Sequence, residues 1–117
     1  MEEKKNLSEC EEMVMTVLWA SKQNLDLNQV TERMKIEYGK DWKIQTVATF
    51  LTRLEKKRYI SIYRVGRYSH YRPEVTLEEY RKQKMEEVRW LLFDGDWYEM
   101  AEFIRRAVKA EMESEQK

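Results

Sequence analysis

The chain has 117 residues, with 22 Lys and Arg balancing 22 Asp and Glu, and only one Pro, three Gly, one Cys and one His. So little turn chemistry excludes a sandwich or barrel, and a lone Cys and a lone His exclude an internal disulfide or a multi-ligand metal site, so neither metal nor cofactor is expected. The neutral total hides an uneven distribution: residues 43–72 carry +7, against −3 for residues 1–42 and −4 for residues 73–117, the electrostatic footprint of a polyanion binder.

The first predicted helix runs from about residue 8 to 20. Ser8 and Glu11 have capping-box spacing, and Val14, Met15, Leu18 and Trp19 form an apolar stripe beside Cys10 and Val17. The polar stretch 21–26 reads as a loop. A second helix covers Leu27–Tyr38, with Val30, Met34 and Tyr38 on one face, Asp26 or Asn28 as cap and Gly39 as terminator.

A third helix is expected from Asp41 to about Lys57. Ile44, Val47, Leu51 and Leu54 form its inward stripe, with Phe50 adjoining. The opposite face carries Gln45, Ala48, Thr49, Thr52, Arg53 and Lys56. Threonines lower helix propensity, whereas a helix with no task beyond facing water more often carries Glu/Lys pairs. Small hydroxyls followed by cations suit phosphates and base edges.

Two alternating stretches follow, Tyr59–Arg64 and Tyr68–Arg72. They are joined by Val65-Gly66-Arg67 and stopped by Pro73. Their pattern gives a hairpin with Arg64, Arg67 and Tyr68 at its tip. Three helices and a basic hairpin make a winged helix-turn-helix, expected over residues 1–74, with the third helix in the major groove and the hairpin on a flanking phosphate track or the minor groove.

Residues 75–117 change character. Thr76 can cap a helix bearing Leu77, Tyr80, Met85, Val88, Leu91 and Leu92. Asp94-Gly95-Asp96 breaks the chain, and a last helix carries Trp97, Met100, Ala101, Phe103, Ile104, Ala107 and Val108. Two amphipathic helices cannot bury both faces alone. Packing on the winged domain is one solution; the expected one is a homodimer through Leu77, Tyr80, Val88, Leu91, Leu92, Trp97, Met100, Ala101, Ile104 and Val108, because two-fold dimers match palindromic DNA. The fold class is therefore mostly α with a small β-hairpin: a winged helix-turn-helix domain followed by a C-terminal helical dimerisation region.

The candidate DNA-binding residues are Lys43, Gln45, Thr46, Ala48, Thr49, Thr52, Arg53, Arg64, Arg67 and Tyr68. Gln45 suits adenine and Ala48 a thymine methyl, while Thr46 and Thr49 suit phosphates. Arg53 has two uses open to it, DNA or an ion pair with Glu55 or an acid of the second helix. Trp19 and Trp42 read as core, His70 as strand surface and Cys10 as a small buried apolar residue. No Ser-His-Asp set, phosphate loop or carboxylate pair is visible, so no enzyme is expected. No apolar run approaches the roughly 18 residues of a membrane span, and MEEKKN has no apolar leader core, so a cytoplasmic protein is expected.

Leu7-Ser8-Glu9-Cys10-Glu11, Val14-Met15 and Val17-Leu18-Trp19 resemble the opening helix of the penicillinase-repressor family, the BlaI/MecI/CopY type. Asp41-Trp42, Thr46-Val47, Thr49, Leu51, Arg53-Leu54 and Lys56-Lys57 resemble its third helix. The resemblance implies a dimeric bacterial repressor on an inverted-repeat operator. It also implies a membrane sensor metalloprotease as a partner that cuts the C-terminal helices. Three departures stand out. Glu12 replaces the family's usual Trp, Arg58 stands where a Gly usually ends the third helix, and the Cys-rich tail of copper-responsive members is missing. The rival from another class is a winged helix used only to bind proteins, and a further rival is a winged-helix ligand sensor.

Overall fold

Ser8 starts the first helix as its spacing requires. Its hydroxyl accepts the Glu11 amide at 3.2 Å, and the Glu11 carboxylate accepts the Ser8 amide at 2.7 Å, opening α1 (Glu9–Ala20). Asp26 and Gln29 repeat the reciprocal arrangement at α2 (Leu27–Tyr38), which Gly39 closes in the left-handed region at φ 64°. Each capping box thus satisfies two of the amides that a helix start leaves without partners. The computed structural model describes residues 6–116. Residues 1–5, most of the MEEKKN stretch, and Lys117 lie outside the described residues.

The third helix, α3 (Ile44–Lys56), begins three residues later than Asp41. Lys43 is extended at φ −67° and ψ 150°, and its carbonyl takes the amides of Thr46 and Val47. The left-handed turn at Gly39 ends α2, so residues 40–43 carry the chain to its new direction before winding can resume. Arg58 then ends the helical segment at φ 66°. The arginine itself thus takes the left-handed position, and a left-handed L-residue costs about 1 kcal/mol.

The hairpin is formed by β2 (Ile60–Val65) and β3 (Tyr68–Pro73), with Ile62 opposite Tyr71 and Val65 opposite Tyr68. Val65 is therefore a strand residue, and the loop is only Gly66–Arg67, with Gly66 at φ 62°. A two-residue hairpin loop needs positive φ at its first position, hence the glycine. The polar stretch before α2 is not wholly loop. Leu25–Asp26 form a short strand, β1, beside β3, giving the sheet order β1-β3-β2. Two residues are too few to show an alternating pattern.

Val14 and Met15 of α1, Val30 and Met34 of α2, and Val47, Leu51 and Leu54 of α3 are all fully buried. Each such aliphatic contributes about 2 kcal/mol on burial. Tyr59 is equally buried but lies between α3 and β2, its carbonyl accepting the amides of Glu74 and Val75. Ile44, read as part of the inward stripe, is 37% exposed because it starts the helix at its outer end. Trp19 and Trp42 are half-buried rather than core. The Trp19 indole donates to the Val75 carbonyl at 2.8 Å, and Trp42 lies against Phe50 at 5.1 Å between centroids. Cys10 is also half-buried. This first unit is a winged helix-turn-helix.

The described residues divide at Leu77/Glu78 into two units. The second holds α4 (Leu77–Leu92) and α5 (Trp97–Glu115). Between them Asp94 and Gly95 take φ 51° and 79°, and the Asp96 carboxylate accepts the amides of Tyr98 and Glu99. Arg89 fastens the turn. Its guanidinium lies 4.8 Å from the Trp90 ring and 4.5 Å from the Trp97 ring and donates to the Gly95 carbonyl at 2.7 Å. A side chain at position 95 would meet Trp90 at 2.8 Å and force that ring to shift, on a backbone already at φ 79°.

Candidate nucleic-acid interface

The polar face of α3 is built by its own apolar stripe. With Val47, Leu51 and Leu54 turned into the core, 3.6-residue periodicity leaves Gln45, Thr46, Thr49, Thr52 and Arg53 exposed and Ala48 half-exposed on the helix surface. Lys43, at the N-cap, is exposed too. This helix start has no side-chain cap and no acid in its first turn, unlike α1, where three glutamates occupy it. Uncovered amides, the positive end of the helix dipole and a lysine favour an anion there.

Two hydroxyls are less available than their sequence suggests. Thr49 donates to the Gln45 carbonyl and Thr52 to the Ala48 carbonyl, each at 3.0 Å. Their protons are committed to the helix backbone, so each must rotate before donating to a phosphate. Arg53 adopts neither of the ion pairs open to it. Its guanidinium lies 5.7 Å from the centre of the Phe50 ring and is exposed.

Arg64, Arg67 and Tyr68 are all exposed at the hairpin end, and Arg64 donates to the Arg67 carbonyl at 3.0 Å across the turn. Val65 is exposed beside them. It escaped the sequence reading because it was counted with the turn, although it continues the Ser61-Tyr63 alternation. His70 stacks on Tyr63 at 5.6 Å between ring centres. Among the described residues no group of His, Cys, Asp and Glu could hold a metal, and no helix is long and apolar enough to cross a membrane.

The +7 segment is not wholly available to a ligand. Lys57 donates to the Glu11 carboxylate at 2.7 Å and to the Asn6 carbonyl at 3.0 Å. Burial pushes the Glu11 carboxyl up, but bonds from Lys57 and from Ser8 outweigh it and hold the group below the usual carboxylate range. Lys57 is thus a brace between the end of α3 and the start of α1. Arg72 pairs with Glu74 at 3.3 Å. Lys43, Lys56, Arg64 and Arg67 stay exposed.

Of the ten expected interface residues in the C-terminal helices, Tyr80 and Met100 are buried within the chain itself and so supply packing rather than open surface. Leu77 and Val88 are half-buried and Ala101 exposed. Leu91 and Leu92 of α4, and Trp97, Ile104 and Val108 of α5, are exposed, joined by Trp90, Tyr98, Phe103 and Met112. These last four were visible in the sequence as apolar residues just off the expected stripe.

No curated protein sequence matches the chain. Among solved structures, it is similar to the solution structure of the DNA-binding domain of the repressor BlaI, with 28% identity and a TM-score of 0.57, covering 68% of this chain and 94% of that one. The sequence model described as Penicillinase repressor matches residues 7–117. The chain therefore belongs to the penicillinase repressor family, and it is a transcription regulator rather than an enzyme.

Proposed function

We propose that the chain represses transcription by binding an inverted-repeat operator as a homodimer, each copy placing α3 in a major groove and its hairpin along the flanking backbone. Residues 1–74 read DNA, and residues 75–117 pair two copies. The observation that carries this reading is the face of α3. Three fully buried aliphatics fix its orientation and leave Gln45, Thr46, Ala48 and Thr49 outward behind an uncapped, lysine-marked helix start. Membership in a repressor family, and the DNA-binding title of a similar structure, support it. The exposed leucines and aromatics of α4 and α5 support pairing, because surfaces of this kind are usually covered in a functional protein. Such a repressor works in the cytoplasm, and a membrane metalloprotease that cuts the C-terminal helices is the partner we assign to ending repression.

Gel shifts on random duplex at low salt, followed by selection of bound fragments, test the reading. Retention of duplex with steep salt dependence is the expected result. Arg67→Ala lowers the salt slope by about one and weakens all sequences alike, whereas Gln45→Ala changes base preference. A protein that ignores duplex in dilute buffer would instead be a winged helix used only for protein contacts.

A further inference from the structure

The winged unit holds a cavity of about 380 Å³ in the cleft between α1 and α2. None of the residues lining it belongs to α3 or the hairpin, so DNA reading leaves it unused. Its volume is at the lower end of those that take small ligands. Val17 and Ala20 give it an apolar wall, and Thr16, Ser21, Arg33, Glu37 and Tyr38 supply its polar groups.

The hydroxyl protons decide what those polar groups can do. Thr16 donates its single proton to the Met13 carbonyl at 2.6 Å, so in its contact with Tyr38 the phenol is the donor. Ser21 donates to the Gln23 carbonyl at 2.6 Å. All three protons are committed within the protein, and the Ser21 and Tyr38 oxygens keep only lone pairs for a ligand. The Glu37 carboxylate is a further acceptor. Of the side chains lining the cavity, Arg33 alone has protons to give, and it faces Glu37 at 3.7 Å with both side chains more than half exposed. A pair this open holds weakly. Arg33 also lines a neighbouring cavity of about 390 Å³, where Glu32 forms another part of the wall. It can therefore leave Glu37 for a space that already holds an acid.

We infer that this cleft binds a small primary amine with a compact apolar body. The ammonium takes the place of the Arg33 guanidinium at Glu37, and the body lies against Val17 and Ala20. The three protons of an ammonium match in number the acceptors of Glu37, Ser21 and Tyr38. A carboxylate of the same shape would meet those acceptors and a single cation that is already paired. The site is separate from operator binding and does not depend on it.

Phenethylamine and phenylacetate, alike in body and opposite in charge, are the probes. Each is titrated into the isotopically labelled full chain and followed by amide NMR shifts. The expected result is a phenethylamine Kd of about 1 mM, in keeping with so small a ligand. The shifted amides should lie within residues 16–21 and 33–38, and phenylacetate should bind at least about tenfold more weakly. Glu37→Gln, at an exposed position, should weaken the amine about fivefold by removing the charge and keeping the shape. Arg33→Gln, also exposed, removes the competing cation and should tighten the amine about threefold. No shift at about ten times the expected Kd, or shifts confined to other residues, would overturn the inference. Phenylacetate binding as well as the amine, or unchanged binding by the Glu37→Gln protein, would overturn it too. So would an Arg33→Gln protein that fails to bind more tightly, because the guanidinium would then not be a competitor.

Discussion

In the winged unit the inward aliphatics of α1, α2 and α3 are sealed, whereas α4 and α5 leave Trp90, Leu91, Leu92, Tyr98, Ile104 and Val108 at the surface. The contrast is one of completeness. Three helices and a three-stranded sheet give every buried side chain neighbours on all sides, so α3 is held firmly enough to present a defined outer face. Two helices joined by a short turn cannot surround a core. Tyr80 and Met100 are the only buried side chains among the described residues from Glu78 onward. The lesson is that the surface for reading DNA is made by what lies beneath it, while the C-terminal helices display apolar residues that a second copy can cover.

Cutting into the sealed unit should have the largest effect. Leu51→Ala removes a side chain with no exposure and should cost about 3 kcal/mol in urea or thermal unfolding. The same kind of truncation at Leu91, which is 82% exposed, should leave the unfolding of a dissociated chain within about 0.5 kcal/mol of the parent. Similar losses at both positions would erase the distinction between the units.

Lys57→Met comes next. It leaves the Glu11 carboxylate, 2% exposed, without its cation and should cost about 2 kcal/mol at neutral pH, discounted because Lys57 is partly exposed. The pH dependence carries a sign. In the parent protein Glu11 sits below its usual range, so its stabilisation is complete above the unfolded carboxylate range and is lost as pH falls through the depressed value. Without Lys57 only the bonds from Ser8 oppose burial, so the depression shrinks and the variant loses less stability than the parent on acidification. Unfolding midpoints between about pH 3 and 7 check this, and parallel pH profiles would contradict the brace.

Leu91→Asp probes the other unit. It should weaken self-association about thirtyfold, an interface anchor being worth about 2 kcal/mol, with the winged unit still folded. The smallest effect is expected at Arg58, whose φ of 66° favours glycine. Arg58→Gly should stabilise the winged unit by up to about 1 kcal/mol in the same unfolding assay.

Within the winged unit, the sequence shows local features more plainly than long-range ones. Capping boxes at Ser8/Glu11 and Asp26/Gln29, and the three- and four-residue spacing of Val47, Leu51 and Leu54, are local signals, and the helices follow them. The strand Leu25–Asp26 was hidden because pairing with β3 is a long-range contact that two residues cannot advertise. The late start of α3 was hidden because Asp41 looks like a cap while the backbone of Lys43 serves instead. The basic run 43–72 was legible as charge, but composition could not show that Lys57 is tied to Glu11 and Arg72 to Glu74. Nor could it show that the protons of Thr49 and Thr52 are committed to the backbone of α3.

Sedimentation of the full chain at micromolar concentration, alone and with a selected duplex, tests the central claim most directly. The account predicts a particle of twice the 14.4 kDa chain mass that binds one duplex as a pair, and a Leu91→Asp protein that sediments as a single chain. A parent protein that remains a single chain both free and on DNA would contradict it.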